Sequence, residues 1–209
     1  TVRLGKRTDG RSRRRKDFVP LAALGDVAFG GWDILAENSY QAARTAGVLD
    51  TSLLDQIKPE LEAIKPWPAV FDQRYVKRLD GPNLKTGRNK KDLAEQVRAD
   101  IRRFKEAHGL DRMVMVWCGS TEVFMKESAA HQSIEAFEKA LEANDPAIPS
   151  SMVYTYAALM EDVPYANGAP NMSVDIPAMM ALAQQKRLPI VGKDFKTGQT
   201  WMKTVIAPG

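Results

Sequence analysis

The chain has 209 residues, 44% of them hydrophobic and 27% charged, with a formal net charge of +4 and one cysteine, Cys118. That is enough apolar material for one ordinary globular unit with a sizeable core, while no apolar run approaches the ~20 residues of a membrane span and no signal-like segment opens the sequence. A single cysteine excludes an internal disulfide framework and fits a reducing, cytoplasmic compartment.

Residues 1–16 hold Arg3, Lys6, Arg7, Arg11, Arg13, Arg14, Arg15 and Lys16 against Asp9 alone, which leaves the remainder of the chain net acidic. The run reads as a solvated basic loop or as a contact for an anion or acidic partner. Without interleaved aromatics or a recognisable module, it gives no reason to expect nucleic acid. Asp26–Phe29 is a short strand candidate that Gly30-Gly31 ends, with Trp32-Asp33 at the turn into a helix over Ala36–Gly47. An acidic residue just past a strand end serves either as a capping carboxylate or as an acceptor for ribose hydroxyls. Residues 50–88 carry four prolines and less regular spacing, though Leu54, Ile57, Leu61 and Ile64 keep a helical period that Pro59 begins or kinks. Leu93, Val97, Ile101 and Phe104 then mark an amphipathic helix from Lys91 to His108, stopped by Gly109.

Met113–Trp117 is almost continuously apolar, the form of a strand covered on both faces. Helix followed by buried strand predicts an α/β fold. The strand ends in Cys118-Gly-Ser-Thr-Glu122, where Gly119 allows close backbone approach and Ser120 and Thr121 offer hydroxyls; Cys118 reads as a small core residue rather than a nucleophile. Ser128 is placed as the N-cap of a helix through Ala143, and Ser150 or Ser151 as the cap of Met152–Glu161. His108 and His131 are unclustered, so both are expected to be solvated and no metal site is expected. Asn167-Gly-Ala-Pro-Asn171 is a stiff turn, Asp175 caps a helix with Pro177 in its first turn, and Leu188–Val191 is the last strand. It leads through a polar turn into the start of a helix, the place where α/β sheets receive anions.

Gly192-Lys-Asp-Phe-Lys-Thr-Gly-Gln-Thr200, followed by Met202-Lys-Thr204, resembles the signature of the inositol-3-phosphate synthase (myo-inositol-1-phosphate synthase) family. The resemblance extends to Phe29-Gly-Gly-Trp-Asp33, Val114–Glu122 and Asn167–Asn171, in order along the chain. It implies an α/β Rossmann-like, doubly wound parallel sheet over residues 17–209 that binds NAD. Relative to the family this sheet is incomplete at both ends: the first strand with its Gly-rich pyrophosphate loop is expected upstream, and the catalytic and oligomerisation domain beyond 209. By the same resemblance, Asp33, Arg78, Gly119, Ser120, Thr121, Gly168, Ala169, Asp194 and Thr197 contact the cofactor. Lys196 and Lys203 bring positive charge to the reacting sugar. The family usually has Asn where this chain has Ser120, which keeps a hydrogen-bonding group and loses the amide.

The implied reaction converts D-glucose 6-phosphate into 1D-myo-inositol 3-phosphate by oxidation at C5, aldol closure of C6 onto C1, and reduction of the ring ketone. It is the work of an intramolecular lyase that leaves NAD unchanged overall, in a family whose full-length members are cytoplasmic homotetramers. Turnover is not expected from these 209 residues alone. Two other readings predict different products: an ordinary sugar-phosphate dehydrogenase releases NADH, and a non-catalytic NAD-binding fragment forms no product.

Overall fold

The computed structural model describes residues 3–4, 13–14 and 17–195. Inside the basic run, β1 (Arg3–Leu4) pairs antiparallel with β2 (Arg13–Arg14), a pairing that a plain loop does not include. The strand expected at Asp26–Phe29 does not form: Leu24–Asp26 is a 3-10 turn and Phe29 is left 68% exposed. The chain becomes a strand only at β3 (Trp32–Asp33), after the two glycines. Gly30 lies so close to the Phe104 ring that a Cβ there would sit 2.8 Å from it, and this approach carries the chain down to the sheet.

Asn38 and Gln41 form a reciprocal capping box on α1 (Ser39–Ala46), and Gly47 ends it in the left-handed conformation. The helix therefore starts later than Ala36. Two short helices follow, α2 (Thr51–Gln56) capped by Asp50 and α3 (Lys58–Ala63) with Pro59 in its first turn. Next, β4 (Trp67–Pro68) pairs parallel with β3, Trp32 opposite Trp67.

The long amphipathic helix is α4 (Lys90–Ala107), capped by Asn89, with Ala94, Val97 and Ile101 buried. It precedes β5 (Met115–Trp117). Ser128 caps only a 3-10 turn, Ala129–His131, and the helix proper, α5 (Ile134–Glu142), takes Ser133 as its cap. His131 is not solvated. It is fully buried, its Nδ1 accepts the Ser128 N–H at 3.1 Å, and its Nε2 lies 2.8 Å from the Ala147 carbonyl, an arrangement that suits a neutral ring with the proton on Nε2. In α6 (Ser150–Met160) both serines lie inside the first turn, and Pro149 is the N-cap with no side-chain hydrogen bond. Then come β6 (Tyr165–Asn167), α7 (Pro177–Lys186) and β7 (Ile190–Val191). Asp175 does not cap α7: Ile176 holds that position, and Asp175 instead accepts the Ser173 N–H at 3.1 Å.

β5, β6 and β7 form one parallel sheet in that order. Every residue of α6 from Ser150 to Leu159 is buried, because α4, α5 and α7 surround it; a helix covered all round needs no apolar stripe. Tyr156, Phe137, Met152, Leu159, Ile176 and Met179 fill the space between these helices.

The parallel strands come in two pieces, β3–β4 and β5–β6–β7. Along β3 the contacts on α4 pass backwards, from Phe104 at Gly30 to Asp100 at Trp32, so β3 runs against α4. β5 leaves the end of α4 by a short connection and runs against it too. The Trp32 and Trp117 rings both pack on Tyr154, at 5.2 and 5.5 Å between centres, and a cavity lined by both strands separates β3 from β5. Met115 donates its N–H to Pro164 and Trp117 accepts from Gly168, both on the β6 side, which turns the backbone groups of Val116 toward the gap. Val114 and Val116 are 64% and 45% exposed, so this strand is covered on one face, not on both.

Candidate functional site

Because all these strands are parallel, their carboxyl ends lie along one edge: Asp33 after β3, Cys118–Glu122 after β5, Gly168–Ala169 after β6 and Gly192–Asp194 after β7. A cavity of about 620 Å³ opens between the two pieces, lined by Gly30–Leu35, Met113–Ser120, Glu122 and the rings of Trp67, Phe71 and Phe104. Its walls run the length of β3 and β5, so it is the slot between the two pieces, and only its end at Asp33 and Cys118–Ser120 lies at the strand carboxyl ends.

Asp33 is exposed at the cavity wall; its Oδ1 accepts the Leu35 N–H at 2.8 Å, and Oδ2 has no hydrogen-bond partner among the described residues. The strand exit is braced from behind. Asn83 donates its side-chain amide to the Asp33 carbonyl and its backbone N–H to Ile34, both at 2.9 Å, and Gly81 packs against the Ile34 carbonyl where no Cβ fits. One carboxylate oxygen held and one open leaves an oriented acceptor for a ligand hydroxyl.

Gly119 and Ser120 line the same cavity; Thr121 is exposed beside them. A Cβ on Gly119 would meet the Trp117 ring at 2.7 Å, so the backbone lies flat on that indole. Trp117 lines the cavity, while its Nε1 is buried behind the wall with no partner among the described residues. Cys118 is exposed on the wall, contrary to its reading as a core residue, because it stands one residue past the strand where the chain turns outward.

Gly168 and Ala169 are tied to the turn beyond β7: the Asp194 N–H donates to Ala169 O at 3.2 Å and the Phe195 N–H to Gly168 O at 3.0 Å. Phe195 packs over Gly168, where a Cβ would also stand 2.6 Å from the Trp117 carbonyl. Asp194 adopts φ 70°, a conformation open to Asp and Asn more than to most residues. Gly168, Ala169 and Asp194 thus form one cluster, next to the cavity rather than on its wall. Arg78 is exposed and off the cavity wall, although Val76 and Leu79 of the same segment line it. Thr197, Lys196 and Lys203 lie outside the described residues.

Three contributors were not singled out in the sequence: Trp117, whose indole forms wall, and the pair Glu122 and Asn171. Burial pushes the Glu122 carboxyl above its ordinary pKa, against hydrogen bonds from Ser151 that pull it down. Among the described residues there is no group of three or more His, Cys, Asp or Glu fit to hold a metal, and no helix long and apolar enough to cross a membrane.

The residues at the strand ends fit the ribose and ring portions of a dinucleotide: an open carboxylate oxygen at Asp33, a glycine backbone against an indole, and the exposed Ser120 and Thr121. The described residues on the cavity wall include no lysine or arginine to meet the pyrophosphate.

Comparison with known proteins agrees with this geometry. A family model described as Myo-inositol-1-phosphate synthase, built on the NAD-binding domain, matches residues 1–208. Inositol-3-phosphate synthase 1 of Bacteroides thetaiotaomicron is 50% identical over 194 residues, 92% of this chain and 45% of that protein. Inositol-3-phosphate synthase 1 of Oryza sativa is 35% identical over 195 residues, 91% of this chain and 38% of that protein. The crystal structure of inositol-3-phosphate synthase from Caenorhabditis elegans superposes with a TM-score of 0.87 at 27% identity, covering 99% of this chain and 42% of that one. The chain thus spans less than half the length of these relatives. It belongs to the myo-inositol-1-phosphate synthase family, and covers the family's NAD-binding, Rossmann-like part.

Proposed function

We propose that the chain is the cofactor-holding part of an enzyme that converts D-glucose 6-phosphate into 1D-myo-inositol 3-phosphate, an intramolecular lyase acting in the cytoplasm as a homotetramer. The observation that carries the reading is the convergence of four parallel strand ends, bearing Asp33, Gly119–Thr121, Gly168–Ala169 and Asp194, along one edge in a chain of this family.

In this reading the open oxygen of Asp33 accepts the ribose hydroxyls, while the Leu35 N–H holds the other carboxylate oxygen and Asn83 fixes the Asp33 backbone. Gly119 lets the cofactor approach the backbone, with the Ser120 and Thr121 hydroxyls as donors. The backbone groups of Gly168 and Ala169, fixed by Asp194 and Phe195, close the far end. NAD, when bound, supplies the hydride acceptor and donor. Arg78, Thr197, Lys196 and Lys203 complete the assignment, the lysines as countercharge for the oxyanions of the aldol step.

The test incubates the full-length protein with glucose 6-phosphate and catalytic NAD. Formation of inositol phosphate without accumulation of NADH supports the reading. Net NADH with an oxidised sugar phosphate instead makes the protein an ordinary dehydrogenase, and NAD binding with no product makes it a binding unit. The 209 residues alone are expected to give no turnover.

A further inference from the structure

Glu122 ends the turn that carries Gly119, Ser120 and Thr121, and it is only 6% exposed. Its carboxylate accepts the Ser151 N–H at 2.9 Å and the Ser151 hydroxyl at 2.5 Å. Ser151 lies in the first turn of α6, where N–H groups have no intrahelical acceptor, and Pro149 at the N-cap offers no side-chain hydrogen bond. The buried carboxylate thus caps a helix from a distant part of the chain.

A cap needs only the carboxylate, yet Glu122 makes a second connection. Its own N–H donates to Asn171 Oδ1 at 2.8 Å. The Asn171 carbonyl accepts from Asn167 Nδ2 at 2.8 Å, and Asn167 Oδ1 accepts the Ala169 N–H at 3.0 Å. One line of buried hydrogen bonds therefore runs from α6, through the end of β5, to the Gly168–Ala169 turn after β6. The next residue is anchored as well: Val123 N–H donates to Tyr75 O at 2.8 Å, and this fixes the segment whose Val76 and Leu79 line the cavity.

The arrangement has a cost that pure stability does not explain. Holding Asn171 Oδ1 toward Glu122 leaves Asn171 Nδ2 buried with no partner among the described residues. An unpaired buried donor is unfavourable, and such features persist where geometry is needed for a site.

We propose that Glu122 is a positioning residue of the dinucleotide site, which fixes the spacing of the Gly119–Thr121 turn and the Gly168–Ala169 turn through Ser151 and Asn171. This rests on the NAD reading above. The experiment is a calorimetric NAD titration of the full-length protein and its variants. Glu122→Gln keeps an acceptor for Ser151 and is expected to stay within about threefold of the parent affinity, while Glu122→Ala and Asn171→Ala each weaken binding about tenfold or more. Because both break one strut, the double variant is expected to bind no more weakly than the worse single variant. Leu54→Ala, a buried truncation in α2 away from both turns, lowers the melting temperature and leaves NAD affinity unchanged. Should Glu122→Ala fail to fold, Asn171→Ala and Ser151→Ala still report, each expected to bind more weakly than the parent.

If the parent protein binds no NAD, the cofactor reading falls and this inference falls with it. If the parent binds and the alanine variants bind equally well, or their losses simply add, or Leu54→Ala weakens binding as much, the inference alone is overturned.

Discussion

Lys90 shows how closely a single cation can be held behind this site. Its Nζ donates to the Tyr75 hydroxyl at 2.9 Å and to the carbonyls of Asp145 and Ile148 at 2.6 Å, and the residue is 7% exposed. Burial, and next the charge of Arg74, press its pKa down to about 8 from 10.5. Between those values the unfolded chain binds a proton that the folded chain has released. Stability therefore rises as pH climbs across that window and falls as pH drops through about 8. Urea midpoints at about pH 7.5 and about pH 10 are expected to show that rise. Lys90→Met flattens this contribution and leaves two buried carbonyls without their donor, at a cost of ~1–3 kcal/mol. Gly168 carries the second prediction at this scale. A methyl group there meets the Phe195 ring and the Trp117 carbonyl at 2.6 Å, so Gly168→Ala must displace backbone. It is expected to weaken NAD binding at least about tenfold, read by fluorescence titration. Individual glycines of this kind were legible as turn residues in the sequence. What each one packs against was not, because the Trp117 carbonyl is supplied by a different strand.

Among the elements, Asp100 joins the two halves of the fold. It is fully buried in α4, accepts Trp32 Nε1 at 2.8 Å from β3, and pairs with Lys85 Nζ at 2.6 Å and with Arg103. Removing one member of such a buried set strands the others. Asp100→Ala is expected to cost ~3–5 kcal/mol in chemical denaturation, and a paired Lys85→Met, Asp100→Leu replacement markedly less. α4 was legible almost to the residue, since its one apolar face keeps the helical period. α6 was legible as a helix but not as the centre of the core: a segment buried on all sides has no polar face to announce it. The ends of elements were harder. Ser128, Ser150, Ser151 and Asp175 are all suitable caps by type, yet the caps fall at Ser133, Pro149 and Ile176, because Ser151 is taken up by Glu122 and Asp175 by Ser173. Asp26–Phe29 has the composition of a strand and no strand partner among the described residues, and the strand begins at Trp32 instead.

At the scale of the whole molecule, the gap between β3 and β5 is the most telling feature. Two parallel pieces face each other across a cavity, and the backbone groups of Val116 point away from β6 into it. A full-length protein is expected to fill the gap with one more parallel strand. Amide exchange at Val116 then slows by at least about a hundredfold relative to the 209-residue chain, and an unchanged rate counts against that arrangement. The general plan, helices alternating with parallel strands and binding turns at the strand ends, was legible from periodicity and turn residues together with the family resemblance. The division into two pieces was not, because strand order is a property of pairings distant in sequence.

The most direct test of the account is residue-resolved amide hydrogen exchange of the full-length protein with and without NAD. Within these 209 residues, added protection is expected at Asp33–Leu35, Gly119–Thr121, Gly168–Ala169 and Asp194, with α1, α2 and α3 unchanged. Protection within them concentrated anywhere else, or none at saturating NAD, contradicts this placement of the cofactor.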